Sequence, residues 1–189
     1  MCICGPSAAG KTTLAARLAE QLRARGRHPL LIACDDYYRC GWSPSSHYGF
    51  DTVDAIDADQ LRLQLSAVRY RQLNALRSYD MRSRRVSSRL LQQPYDLVLV
   101  EGSYGPQHLL EAVPISLLVY VETPLLQRLI KRLWRDVRDR QRPASYVIRQ
   151  MLREMLPGER RFIHPLKRRA DLVVRGYNFD LEPILSRIG

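Results

Sequence analysis

The stretch Gly5-Pro6-Ser7-Ala8-Ala9-Gly10-Lys11-Thr12 fits G-x-x-x-x-G-K-[ST], and it stands between a short apolar run and a helical repeat. That pattern dictates a strand, a tight loop and a helix in succession. Its glycines let the backbone wrap closely enough for several N–H groups to point at one phosphate. The helix that follows adds its positive end. Lys11 then reaches the β- and γ-phosphates and the Thr12 hydroxyl a magnesium ion. Chance would produce such a match in a chain of this composition on the order of once in a thousand. The motif therefore predicts ATP or GTP binding, with Gly5, Ser7, Ala8, Ala9, Gly10, Lys11, Thr12 and Thr13 forming the loop.

Downstream, short apolar runs alternate with helical periodicity. Strands are predicted at 1–4, 30–34, 97–100, 115–121 and 172–174, the inner ones continuous and aliphatic, as strands buried on both faces are. Leu14, Leu18 and Leu22 repeat on a first helix that stops near Gly26, and Leu61, Leu65, Val68 and Leu76 mark a second, capped by Asp57 or Asp59. Pro124 suits the first turn of a helix with Leu126, Leu129, Ile130, Leu133 and Val137 on its apolar face. A further helix is expected over 144–156, ended by Pro157 and Gly158, and a closing one over 181–188. Strands alternating with helices imply an α/β fold: three layers, a five-stranded, mostly parallel sheet and helices on both faces. Residues 1–189 read as one domain. Four residues before Gly5 make a short central strand, leaving open a curtailed first strand or a start further upstream.

Composition narrows the function classes. Hydrophobic residues make up 46% and charged residues 26% of 189, which excludes a largely disordered chain. The longest apolar stretch, 115–121, falls far below the ~20 residues of a membrane span, and no signal-peptide pattern opens the chain, so a cytoplasmic protein is expected. Cys2, Cys4, Cys34 and Cys40 form no paired zinc knuckles and read as small apolar residues. The net charge is +11, and because only Lys11, Lys131 and Lys167 are lysines, 27 of the 30 basic residues are arginine. Such an excess suits a polyphosphate or a nucleic acid. The arginine-rich segments lack the interleaved aromatics of a stacking platform, which speaks against nucleic acid.

The acidic residues help to separate the chemistries open to a phosphate loop. Asp35 and Asp36 follow the second strand at its C-terminal end, where sheets of this kind bind ligands. A neutral hydroxyl acceptor needs a carboxylate there to take its proton, whereas capping or turn chemistry is the structural alternative. Glu101 closes the strand 97–100, a position suited to holding magnesium through water. Five arginines, Arg132, Arg135, Arg138, Arg140 and Arg142, crowd one stretch. Residues 132–143 are expected to form a lid that closes on the transferring group, against the alternative of a solvated basic face.

Together these pieces resemble the uridine kinase family, within the phosphoribulokinase/uridine kinase group of P-loop kinases. The resemblance covers nearly the whole chain in order: GPSAAGKTT (5–13), DDYYR (35–39), YGFDTVDAID (48–57), SYDMRSR (78–84), VLVEG (98–102), KRLWRDVRDRQR (131–142) and FIHPLKRRADLVV (162–174). It implies transfer of a phosphoryl group from ATP to the 5′-hydroxyl of a pyrimidine ribonucleoside, with magnesium. By the same resemblance Asp35 is the base that accepts the hydroxyl proton, Asp51 holds ribose hydroxyls with help from Arg132, and Tyr79 lies against the nucleobase. Arg135 and Arg140 meet phosphate oxygens, Arg142 lies near the base, and Thr12, Asp35 and Glu101 serve the metal. An acceptor-binding insert over 39–90 and self-association into a homo-oligomer are also implied.

One position departs from the family pattern. Arg84 stands where the family places a histidine that reads the pyrimidine edge, and Met81 replaces a phenylalanine. A guanidinium only donates hydrogen bonds, so it suits uracil oxygens and repels the amino group of cytosine. Arg84 pointing into solvent is the alternative. Three further readings stay open: another hydroxyl acceptor (a riboside, vitamin or sugar phosphate), a nucleic-acid-responsive ATPase, and an inactive relative that binds nucleotide only.

Overall fold

The computed structural model describes residues 1–44, 47–91 and 94–188. Five parallel strands form one sheet: β1 (Cys2–Cys4), β2 (Pro29–Ala33), β5 (Leu97–Gly102), β6 (Leu118–Glu122) and β7 (Leu172–Arg175), in the spatial order β2-β5-β1-β6-β7. Between β2 and β5 in the chain a separate hairpin pairs β3 (Ala75–Tyr79) antiparallel with β4 (Val86–Leu90). The short β1 lies at the centre of the sheet, in register with β5 on one side (Ile3 opposite Glu101) and β6 on the other (Ile3 opposite Val119). Three residues suffice because both backbone edges are paired and both faces are covered.

The pleat divides the core in two. Cys2 and Cys4 face a layer containing Val100, Tyr120 and the buried side of helix α2 (Ala58–Arg69). Ile3 faces the opposite layer, with Val119 and Val121 and with Leu14, Leu18 and Leu22 of helix α1 (Lys11–Ala24). Asp57 caps α2 by accepting the Gln60 N–H at 3.2 Å, which decides between the two expected caps. Leu76 does not continue that helix as its spacing suggested; α2 stops at Arg69, Arg71 turns left-handed, and Leu76 sits on β3. The first turn after β5 carries α3 (Pro106–Leu109).

Helix α4 (Leu125–Arg138) is oriented differently from its expected apolar face. Leu129 and Leu133 do pack inward, but Leu126 and Ile130 are 69% and 53% exposed, while Arg128, Arg132 and Asp136 are buried. Polar residues recur here at i, i+4 and i+8, a period as helical as that of the leucines, and ion pairing rather than apolar burial turns that face inward. The helix ends at Arg138.

The next helix also departs from expectation. Helix α5 (Ala144–Gln150) runs through a π-type turn (Met151–Met155), a short α6 (Leu156–Gly158) and a second π-type turn (Glu159–Ile163) without breaking at Pro157 or Gly158. The wide turns carry the helix past a proline whose ring would clash with the carbonyl four residues back. Gly158 permits a close approach instead of a stop: a Cβ there would lie 2.1 Å from the Asp51 carbonyl oxygen and 2.9 Å from the Tyr104 hydroxyl. A 3₁₀ segment (His164–Arg169) leads to β7, and α7 (Glu182–Ile188) closes the chain over the α1 layer. Among the described residues no helix is long and apolar enough to cross a membrane.

Since Gly158 has ordinary helical dihedrals, Gly158→Ala tests the close approach alone. The substitution is expected to lower stability by about 1–3 kcal/mol, by overpacking against the Asp51 loop, in urea denaturation followed by circular dichroism. Unchanged stability would mean the loop retreats freely.

Candidate active site

The C-terminal ends of β1, β2 and β5 open into one cavity of about 490 Å³. At one end lies the loop between β1 and α1. Gly5 adopts φ +145°, and a Cβ on it would fall 2.4 Å from the Val121 carbonyl oxygen, so only glycine lets the loop start against β6. Ser7, Ala8, Gly10, Lys11, Thr12 and Thr13 line the cavity. Gly5 and Ala9, expected among the contacting residues, are absent from that wall and shape the loop from beneath, Ala9 being fully buried.

Buried side chains hold the loop from several directions. Lys11 Nζ donates to the Pro6 carbonyl oxygen at 2.9 Å and to Ser103 Oγ at 2.7 Å, and Ser103 donates to the Gly5 carbonyl oxygen at 3.0 Å. Glu159 accepts the Ser7 N–H at 2.9 Å and pairs with Arg128 Nη1 at 2.8 and 3.0 Å. Arg128 in turn donates to the carbonyl oxygens of Thr123 and Ser7. The ring of Tyr177 sits beside the loop, its hydroxyl donating to the Ala8 carbonyl oxygen at 2.8 Å and its face covered by Lys131 Nζ. Ser103, Arg128, Glu159 and Tyr177 escape sequence reasoning because each lies far from the motif it supports.

Thr12 donates to Glu101 at 2.9 Å, which brings a hydroxyl and a carboxylate together beside Lys11. Burial pushes the Glu101 carboxyl above its ordinary range, Lys11 draws it back, and Asp35 pushes it up again. Burial likewise lowers the Lys11 ammonium, against the opposing pull of Glu101, Asp35 and Glu159. Among the described residues no three His, Cys, Asp or Glu side chains gather tightly enough to hold a metal alone. A hydroxyl, two carboxylates and an open cavity nevertheless fit magnesium, which keeps several waters and takes substrate phosphates as ligands.

The two aspartates after β2 separate in space. The Asp36 carboxylate accepts the Tyr79 N–H at 2.9 Å, and its carbonyl oxygen accepts Arg77 Nε at 2.8 Å, so Asp36 pins the β3–β4 hairpin. Asp35 lines the cavity. Beyond it Asp51 receives both Arg132 Nη atoms, at 2.9 and 3.0 Å, with both side chains buried. Burial would lower the Arg132 pKa, but Asp51 outweighs it and holds the guanidinium charged. Arg135, Arg140 and Arg142 also line the cavity, although Arg132, which opens the expected lid segment, is locked in the protein interior.

At the far end stand Tyr79, Met81, Arg84 and Phe50. The Arg84 guanidinium lies 4.7 Å from the Phe50 ring centre, and Tyr38 packs on Tyr79 with ring centres 5.8 Å apart. The hairpin turn that presents Arg84 is closed by Asp80, whose carboxylate accepts from Arg82 N–H at 2.8 Å and Ser83 Oγ at 2.7 Å. Arg84 itself is left-handed there, with φ 57°. Arg84 therefore lines the cavity and lies over the Phe50 ring while staying exposed to solvent.

The sequence profile of the phosphoribulokinase/uridine kinase family matches residues 1–180. The chain is 31% identical over 179 residues to a uridine kinase of Lactobacillus johnsonii, spanning 91% of this chain and 83% of that protein. A uridine kinase of Halobacterium salinarum is 29% identical over 177 residues, spanning 91% and 77%. In fold the chain is similar to the phosphoribulokinase of Rhodobacter spheroides, with a TM-score of 0.64 at 16% identity over 92% of this chain and 68% of that one.

Glu159 is the most exacting support of the loop, because removing it strands a buried Arg128. Glu159→Ala is expected to cost about 3–5 kcal/mol in urea unfolding, whereas Glu182→Ala, which breaks an exposed pair with Arg25, should cost under about 1 kcal/mol. Similar losses for the two would show that the buried pair does not brace the loop.

Proposed function

The chain belongs to the phosphoribulokinase/uridine kinase family and is an ATP-dependent kinase; from that premise we propose that it phosphorylates the 5′-hydroxyl of a pyrimidine ribonucleoside. The observation that carries this reading is one cavity with a phosphate loop at one end, Asp35 and the Asp51–Arg132 pair in the middle, and an aromatic wall with Tyr79 and Arg84 at the other.

The loop amides and Lys11 bind the donor phosphates, with Arg135 and Arg140 approaching them from the segment 132–143. Thr12, Asp35 and Glu101 would hold magnesium, directly or through water, and the bound ion would supply neutralisation of the phosphate charge. Asp35 orients the acceptor hydroxyl and takes its proton as the new bond forms. Asp51, its charge offset by Arg132, accepts hydrogen bonds from the ribose hydroxyls. Tyr79 offers a ring against the base, and Arg84 and Arg142 donate to base oxygens. Arginines crowded over the phosphates also keep water from competing with the acceptor. Most of the acceleration comes from holding the two substrates in line, which alone supplies several kcal/mol.

A second reading within the family is favoured by the two cations, Arg84 and Arg142, at the acceptor end: a hydroxyl acceptor that carries its own anionic group. A panel of nucleosides, vitamins and sugar phosphates in a coupled ADP-release assay separates the two. The pyrimidine nucleoside reading expects uridine-dependent turnover with cytidine the poorer substrate, because the cytosine amino group meets a guanidinium that can only donate. ADP release indifferent to every nucleoside would overturn it.

Asp35→Asn removes the proton acceptor with little change of shape, leaving Thr12 and Glu101 for magnesium. Turnover is expected to fall about 10²–10⁴-fold, with ATP affinity by calorimetry within a few fold of the parent. Retained turnover would remove Asp35 from the role of base. Chelation by EDTA should abolish activity and added magnesium restore it.

A further inference from the structure

Asp136 is fully buried, yet it is assigned no part in the chemistry above. Four arginines surround it. Its Oδ1 accepts from Arg135 Nε at 2.9 Å and lies 3.3 Å from Arg140 Nη1; its Oδ2 lies 3.7 Å from Arg132 Nε and 3.9 Å from Arg142 Nη1. The backbone N–H of Arg142 donates to the Asp136 carbonyl oxygen at 3.0 Å, which ties the loop after α4 to the same residue. All four arginines line the cavity. Burial alone would push the Asp136 carboxyl up, but Arg135, Arg140 and Arg132 outweigh it and hold it ionised.

Four guanidinium groups this close repel one another, and Asp136 and Asp51 are the carboxylates that meet them. Asp136 and Asp51, with Asp35 acting on Arg140, offset only part of the four charges and leave a positive edge toward the cavity, where donor phosphates are expected. The grip is also unsaturated. Arg132 Nε and Asp136 Oδ2 are both buried without a hydrogen-bond partner, although they face each other at 3.7 Å. A buried donor and acceptor left unpaired are each unfavourable, so a small approach of Arg132 to Asp136 is downhill. What holds Arg132 back is its bidentate bond to Asp51. An acceptor whose hydroxyls take Asp51 oxygens loosens that bond and lets Arg132 close on Asp136. A carboxylate fixed by Arg132 as well holds Arg135 and Arg140 in one arrangement toward the cavity, so less ordering remains to be done when phosphate oxygens arrive.

We propose that Asp136 is the positioning residue that presents Arg135 and Arg140 to the donor phosphates and, through Arg132, links them to Asp51, so that acceptor and nucleotide strengthen each other's binding. The nucleotide half stands on the arginine cluster alone; the coupling half rests on the reading that places the acceptor's hydroxyls at Asp51.

Calorimetric titration of uridine and of a non-hydrolysable ATP analogue with magnesium, each alone and each in the presence of the other, tests both halves. In the parent protein each ligand is expected to tighten the other about tenfold. Asp136→Asn keeps the side chain's shape and removes its charge. Analogue affinity should fall about tenfold, the mutual tightening should vanish, and uridine affinity measured alone should stay within about twofold, a pattern that general destabilisation does not produce. Unchanged analogue affinity and unchanged coupling in a folded Asp136→Asn protein, or no coupling in the parent, would overturn the proposal. If uridine binds neither protein while the analogue still weakens, the nucleoside reading falls and the role of Asp136 toward the arginines stands. Should Asp136→Asn fail to fold, Asp136→Glu decides by the same titrations: it keeps the charge but displaces it by a methylene, so undisturbed coupling there would overturn the proposal as well.

Discussion

Two buried ion pairs on one face of α4, a single helical turn apart, hold the two halves of the active site in a common frame. Arg128 reaches Glu159 and through it the Ser7 N–H of the phosphate loop, and Arg132 reaches Asp51 on the proposed acceptor side. Because residues four apart on a helix share a face, donor and acceptor supports stand about 6 Å apart on one rigid element. Burying these charges gives little net stability, since desolvation offsets most of the attraction. What the pairs provide is geometry: each guanidinium is tied to one carboxylate, and losing either partner leaves a charge in the interior. Gly158 belongs to the same frame, because only a residue without a side chain lets the helix carrying Glu159 lie against the Asp51 backbone.

This frame was the part hardest to read from residues alone. The phosphate loop is legible because its chemistry is local: backbone amides, a lysine and a hydroxyl within eight residues. The sheet is legible because strands buried on both faces must be continuously apolar. Helix α4 satisfies two patterns at once, and apolar periodicity names the wrong inward face when the opposite face is neutralised by partners about 80 and 30 residues away in the chain. Pro157 and Gly158 look like a terminator for the same reason, since the tertiary contact that forces the helix onward is invisible in the local sequence. The β3–β4 hairpin escapes because β4 is exposed along its whole length, leaving no in–out alternation to read, and its turn, 80–85, contains neither glycine nor proline.

The arginine surplus divides along the same lines. Arg128 and Arg132 are interior struts; Arg135, Arg140 and Arg142 form the positive margin of the cavity; Arg25 and Arg27 pair on the surface. A count of +11 carries none of this, because the same residue type serves as strut, ligand-facing cation and solvated charge. Arginine suits the first two roles better than lysine: its planar fork makes two parallel bonds to one carboxylate and it stays charged when buried. Lys11 shows the contrast. A flexible ammonium, its pKa lowered by burial and opposed by Glu101 and Asp35, suits contact with phosphates at one point.

The Asp35–Asp36 pair suggests why catalysis and substrate choice vary separately in such a site. Adjacent residues on the 3₁₀ turn Cys34–Tyr37 send their side chains to different tasks: Asp35 to the cavity, Asp36 to the backbone of Tyr79. The hairpin that presents Tyr79 and Arg84 is thus hung from the residue next to Asp35, the proposed base. Its root is fixed by Asp36 and by Arg77, which donates to the carbonyl oxygens of Asp36 and Tyr38. Its tip, by contrast, is closed by Asp80 within the turn itself. Side chains at the tip can therefore change, as arginine at the resembled family's histidine position illustrates, without moving the root or disturbing Asp35, the carboxylate proposed as the base.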